Sequence, residues 1–235
     1  MTVLDIIVPF SLETPASELE LCLAGLDAST SGDFQVTLVH TKPTDDTDGR
    51  VNEVTEIVEA IHQRRQEREQ GSARVPPVVP KLPWAVVACC NDEGVTAPVL
   101  AAIAAAQSQY VAVVPTTHAL DDPNWFGKLQ VPFMRTPQCG LAFAADAPEL
   151  VGSGAQPFPW SARHGAPGRV VLSLRETLIA IARSARLLDY PEALIWSAKS
   201  LGLVTWGVPG VRIDIAGAPA PANPRSQPRN AHRPG

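Results

Sequence analysis

Short runs of aliphatic and β-branched residues recur between segments of helical periodicity, and this alternation constrains the fold more than any other feature of the chain. Leu4, Ile6, Ile7 and Val8, then the runs 35–40, 84–89 and 110–114, have the length and residue types of buried strands. Ser17 and Glu20 have the spacing of a capping box before a helix through Leu26. Val51, Val54, Val58 and Ile61 then repeat at helical intervals ahead of the charged stretch QRRQEREQ. Thr96, with Pro98 and alanines running towards Gln107, predicts a third helix, and Asp122 with Pro123 predicts the N-cap and first residue of a fourth through Leu129. Pro9 ends the first apolar run, and 139–143 reads as a shorter strand. Ser173 and Glu176 predict a capping box before Leu178, Ile181 and Ala182. A last helix begins at Pro191 and stops near Gly202, followed by short strands at 203–206 and 211–215. Repeated β-α units of this kind build one Rossmann-like, three-layer α/β domain with a mostly parallel central sheet, and its ligand is expected beyond the C-terminal strand ends.

Composition bounds the function classes. The 235 residues are 45% hydrophobic and 18% charged, which fits a packed domain over 1–215. Proline reaches 23 residues but is clustered: VPPVVPKLP (75–83) reads as an extended connector, and 151–168 as a long loop around Phe158 and Trp160. The segment 216–235, with Arg225, Arg229 and Arg233 and no acid, reads as a flexible Pro/Arg-containing tail. A net charge of −5 disfavours nucleic acid as a partner. The apolar tract 95–106 is too short to cross a bilayer, and no basic segment leads into an apolar run at the start, so a cytoplasmic location is expected. Cys89 and Cys90 are adjacent while Cys22 and Cys139 stand apart, so neither a disulfide framework nor a CxxC site is expected. Dinucleotide-binding, P-loop, zinc-protease and nucleophile-elbow motifs are absent from the sequence.

The opening DIIVPF and the segment NDEGVTAPVLAAIAAAQSQYVAVVPTTHALDDPNWFGKL resemble, in order and type, motifs of family 2-like glycosyltransferases with the GT-A fold. That resemblance spans roughly residues 4–215. It implies a nucleotide-sugar donor, an unidentified acceptor and a divalent cation such as Mn2+. It places Pro9 and Phe10 near the nucleotide, and His40, Thr41, Asp45 and Asp46 near base or ribose. Where the family carries Asp-x-Asp, this chain has Thr116, Thr117 and His118, so the resemblance leaves His118 as a metal ligand and Thr116 as a donor-side residue. TPQCGLAFAADAPELVGSG resembles the acceptor-side segment, with Cys139 read as a buried structural thiol. DYPEALIWSAKSLGLVTWGVPGVRI resembles the helix bearing the acceptor base; the base position falls on Pro191, which cannot accept a proton. Glu192 is then the first candidate base and Asp189 the second, with helix capping as the structural alternative for both. Replacement of both acidic signatures keeps a second expectation open: a catalytically inactive GT-A-like scaffold, acting through a protein partner or as a homo-oligomer.

Overall fold

The computed structural model describes residues 4–11, 13–29, 34–41, 47–72, 84–88, 96–145, 156–161, 170–184 and 192–215. Ten strands and six helices follow in the order β1 (Leu4–Phe10), α1 (Ala16–Ser29), β2 (Phe34–His40), α2 (Thr47–Ser72), β3 (Trp84–Ala88), α3 (Thr96–Ala105), β4 (Tyr110–Val113), β5 (His118–Leu120), α4 (Trp125–Arg135), β6 (Cys139–Ala144), β7 (Phe158–Pro159), β8 (Val171–Leu174), α5 (Arg175–Ser184), α6 (Glu192–Ser200), β9 (Val204–Val208) and β10 (Ile213–Ile215). Eight strands form one sheet in the order β3-β2-β1-β4-β8-β6-β9-β7, and β5 pairs with β10 in a small antiparallel sheet. Within the large sheet only β8 and β7 run against the other six described strands. The expectation of a single α/β domain with a mostly parallel sheet is met.

Alternation along the strands creates the three layers. Leu4, Ile6, Val8 and Phe10 of β1 face a core shared with Leu19, Leu23 and Leu26 of α1, Val54, Val58 and Ile61 of α2, and Trp125 and Leu129 of α4. Ile7 of the same strand faces the opposite core, where Ile103 of α3, Leu178 and Ile181 of α5, and Ile195 and Ala198 of α6 meet Val113, Leu141 and Phe143. Sheet faces buried on both sides explain the nearly continuous apolar runs.

Several local expectations are corrected. Helix α1 begins at Ala16, one residue before Ser17, and the Pro15 carbonyl accepts the Glu18 and Leu19 N–H groups at 3.1 and 3.2 Å, so Ser17 is not its cap. Ser173 lies in β8 and its hydroxyl donates to Gly140 O at 2.6 Å, so it does not cap α5 either. The pair Phe158–Pro159 forms an edge strand on β9 inside the region read as a loop. A Cβ on Gly207 would come within 2.6 Å of the Phe158 ring, which accounts for glycine there. Gly202, at φ +74°, ends α6 as expected. Segments 75–83 and 216–235 lie outside the described residues, as do Cys89 and Cys90.

Candidate functional site

From β1 the chain winds outward to β2 and β3, then crosses back to place β4 on the other side of β1. The connections leave β1 and β4 in opposite directions, so a crevice opens beyond their C-terminal ends. Pro9 sharpens it. Ile7 O accepts the Val114 N–H at 2.9 Å on the β4 side, whereas Phe10 O accepts the Thr41 N–H at 2.8 Å on the β2 side. Backbone groups alternate along a strand, so Pro9 faces β4, where it has no N–H to offer. Pairing with β4 accordingly stops at Ile7 and Val113, while pairing with β2 continues to Phe10 and His40. The strand does not end at Pro9 as expected from sequence; only one of its two ladders does.

On the β2 side, the Phe10 ring is core and meets the His40 ring edge-on at 5.0 Å. The Thr41 hydroxyl donates inward to Phe10 O at 3.0 Å, so both residues build the rim. His40 is fully buried, and its two ring nitrogens have no hydrogen-bond partner among the described residues. Burial, reinforced by the nearby Arg50 charge, holds its pKa below the ordinary 6.5. The buried Arg50 guanidinium donates to Thr14 O and pairs with Glu53, tying the loop after β1 to the first turns of α2. Sequence reasoning passed over Arg50 because a single arginine after Asp48 and Gly49 reads as part of a solvated turn. Asp45 and Asp46 lie outside the described residues, and Thr47 to Gly49, read from sequence as part of a turn, form the first turn of α2.

On the β4 side, a turn closed by the His118 N–H on Pro115 O at 3.0 Å carries Thr116 and Thr117. Thr116 and His118 are buried, and Thr117 Oγ1 lies 2.8 Å from His118 Nδ1, which fixes the ring orientation. His118 then opens β5, which lies against α1 so closely that a Cβ on Gly25 would reach Leu120 O at 3.0 Å. Beyond β5, Asp121 is exposed and Asp122 buried. The Asp122 carboxylate accepts the Asn124 N–H at 3.0 Å and the Lys128 ammonium at 2.5 Å. Lys128 also donates to Gly210 O at 2.6 Å. Burial acts to raise the Asp122 pKa, but the Lys128 and Asn124 hydrogen bonds and the Lys128 charge outweigh it, and the net shift is downward. Helix α4 starts at Trp125, so Asp122 organises the turn before the helix rather than serving as its N-cap.

These donors do not fit a divalent cation. His118 supplies one imidazole, Thr116 and Thr117 supply neutral hydroxyls, and Asp122 is already neutralised. Among the described residues no group of three or more His, Cys, Asp or Glu side chains is placed to hold a metal.

The acceptor-side candidates lie further along the same rim. Helix α6 packs on β6 and β9 and hands over to β9 through Gly202, so its first residue, Glu192, lies at the strands' C-terminal end. With strands about 4.8 Å apart, that position is roughly 15–19 Å from β1. The topology thus brings Pro9, Phe10, Thr41, Thr116 and the start of α6 to one end of the sheet, with His118 leading away along α1. Asp189 and Pro191 lie outside the described residues. Trp160, from the region read as a loop, packs edge-on against Phe143 at 5.8 Å and has the Lys199 ammonium 4.6 Å from its centroid. Cys139 is buried, and burial pushes its thiol up to about 12, in line with a structural thiol.

Comparison with solved structures bears on this arrangement. A mannosyltransferase from Pyrobaculum calidifontis, solved with GDP-Man and Mn2+, superposes with a TM-score of 0.57 at 14% identity over 89% of this chain and 55% of that one. The fold is GT-A-like. The 4-diphosphocytidyl-2C-methyl-D-erythritol synthase from Anaerococcus prevotii gives 0.56 at 10% identity, covering 89% of both chains. Glucosyl-3-phosphoglycerate synthase from Mycobacterium tuberculosis, with Mn2+, UDP and glucosyl-3-phosphoglycerate, gives 0.52 at 14% over 93% of this chain and 73% of that one. The chain thus spans about half the length of the mannosyltransferase. Neither a protein-family model nor a curated protein matches the sequence. No helix among the described residues is long and apolar enough to cross a membrane.

Proposed function

We propose that this protein recognises a nucleotide-activated sugar at the β1/β4 crevice and transfers the sugar to an acceptor approaching from the start of α6. The crevice carries this reading: it is the switch point of a GT-A-like sheet, widened by Pro9, with the Thr116-Thr117 turn following β4. Solved proteins of the same architecture hold GDP-Man or UDP, which supports a nucleoside diphosphate as the common element. Glu192, with Asp189 as the second candidate, takes the acceptor hydroxyl proton as that oxygen attacks the anomeric carbon, and the nucleoside diphosphate departs. The working location is the cytoplasm.

A second reading is favoured by the Thr116-Thr117-His118 turn, which puts no carboxylate directly after β4, and by Asp122, whose carboxylate is paired with Lys128. In that reading the chain binds the nucleotide but does not turn it over, and acts as a scaffold. Calorimetric titration with nucleoside diphosphates and their sugars, followed by assay of donor hydrolysis and transfer, separates the two. Transfer that falls by about 10²- to 10⁴-fold in Glu192→Gln with donor affinity retained supports the catalytic reading. Binding without turnover supports the scaffold, and absence of binding to every nucleotide tested overturns both.

A further inference from the structure

We infer that the β1/β4 crevice takes the diphosphate of its nucleotide without a divalent cation. This rests on the nucleotide reading above and concerns how the phosphate charge is met. The solved mannosyltransferase and glucosyl-3-phosphoglycerate synthase hold Mn2+ together with their nucleotides, so proteins of this fold can bind both. Manganese at a diphosphate draws on carboxylates, imidazole and water. Here each nearby group among the described residues is accounted for differently.

Thr116 and Thr117 form the turn directly after β4 and offer hydroxyls without charge. His118 Nδ1 is within hydrogen-bond distance of Thr117 Oγ1 at 2.8 Å, so one ring nitrogen faces a hydroxyl. Asp121 stands three residues beyond His118 along an extended strand, about 10 Å away at about 3.3 Å per residue. Asp122 is held by Lys128 at 2.5 Å, and that ammonium is held in turn by Gly210 O at 2.6 Å. Recruiting Asp122 to a metal would break this pair and leave Lys128 without its counter-ion. Hydroxyl donors can hydrogen-bond phosphate oxygens directly, and bonds to a charged acceptor are the stronger kind.

The test is calorimetric titration of the intact chain with UDP, GDP and CDP, once in excess EDTA and once in MnCl2, with Mn2+ alone followed in parallel by electron paramagnetic resonance. Dissociation constants that agree within about threefold between the two conditions, with no stoichiometric Mn2+ site at about micromolar affinity, support the inference. Tightening by Mn2+ of about tenfold or more, or a stoichiometric Mn2+ site in the free protein, overturns it while leaving the nucleotide reading in place. No binding in either condition overturns the nucleotide reading and this inference with it.

Discussion

Asp5, near the start of β1, and His40, at the end of β2, are both buried polar residues in neighbouring strands, yet they are treated in opposite ways. The Asp5 carboxylate accepts the N–H groups of Gln107 and Ser108 at 2.6 and 2.8 Å, closing the turn between α3 and β4. At the same end of the sheet Arg175 donates to Ala106 O at 2.5 Å and Ala104 O at 3.2 Å, meeting the terminal carbonyls of α3. The His40 ring makes no hydrogen bond among the described residues. Unpartnered hydroxyl and indole groups occur elsewhere, at Ser108 and Trp206, so the contrast concerns ionisable side chains. Charge at the strand starts is committed to backbone, whereas the strand ends bury an imidazole that has no hydrogen-bond partner among the described residues.

Substitutions can break that contrast or sharpen it. Asp5→Ala deprives two N–H groups of a charged acceptor and should lower the unfolding free energy by about 2–4 kcal/mol in urea titrations. Asp5→Asn, which keeps one acceptor oxygen, should recover part of the loss. A loss in the alanine variant of under about 1 kcal/mol would show that the strand starts are not closed by charge.

Asp122→Asn should cost about 1–2 kcal/mol at neutral pH, discounted because the Lys128 side chain is 41% exposed and solvent screens it. The pH dependence has a definite sign. The Asp122 pKa is lowered from 3.8 in the folded chain, so its contribution is complete above that value and is lost as pH falls through the lowered one. The variant should therefore have a flatter acid limb in thermal melts recorded across pH.

Thr41→Val removes one of two hydrogen bonds to Phe10 O, and the backbone bond at 2.8 Å remains. Its expected cost is about 1 kcal/mol by denaturant titration, with the rim otherwise intact. The smallest effect at neutral pH belongs to His40→Leu, because an imidazole without partners is exchanged for an apolar side chain of similar size. Its signature is again the pH profile. The lowered folded pKa means that the unfolded chain takes up the proton first, so wild-type stability declines relative to the variant as pH falls below 6.5. Parallel profiles for the two proteins would remove His40 from the contrast.

The central strands were legible because apolar runs buried on both faces leave few alternatives, and β4 was placed within one residue of its observed end. The antiparallel β8 was not legible, since Val171 to Leu174 merges with Arg175 and Glu176 into a pattern that equally fits a capped helix. Short edge strands such as β7 have too few residues to show a period. At the site, the resemblance to family 2-like glycosyltransferases located the Thr116-Thr117-His118 turn, by its distance to the following Pro123, Asn124 and Trp125 at the start of the next helix. Asp5 illustrates a harder case. An acid inside an apolar strand must have a partner, but the partners lie 102 and 103 residues away and are backbone groups without any side-chain signal.

The two-residue strand β7 has an effect beyond its size. Trp160 N–H donates to Thr205 O at 2.8 Å, and Phe158 pairs with Gly207, so the residue between them, Pro159, is the one that turns its backbone outward. An incoming chain seeking to extend the sheet from this flank meets a ring nitrogen incapable of donation at the position where a ladder would have to start. The molecule thereby discourages stacking of copies through its β7 margin with one cyclic side chain.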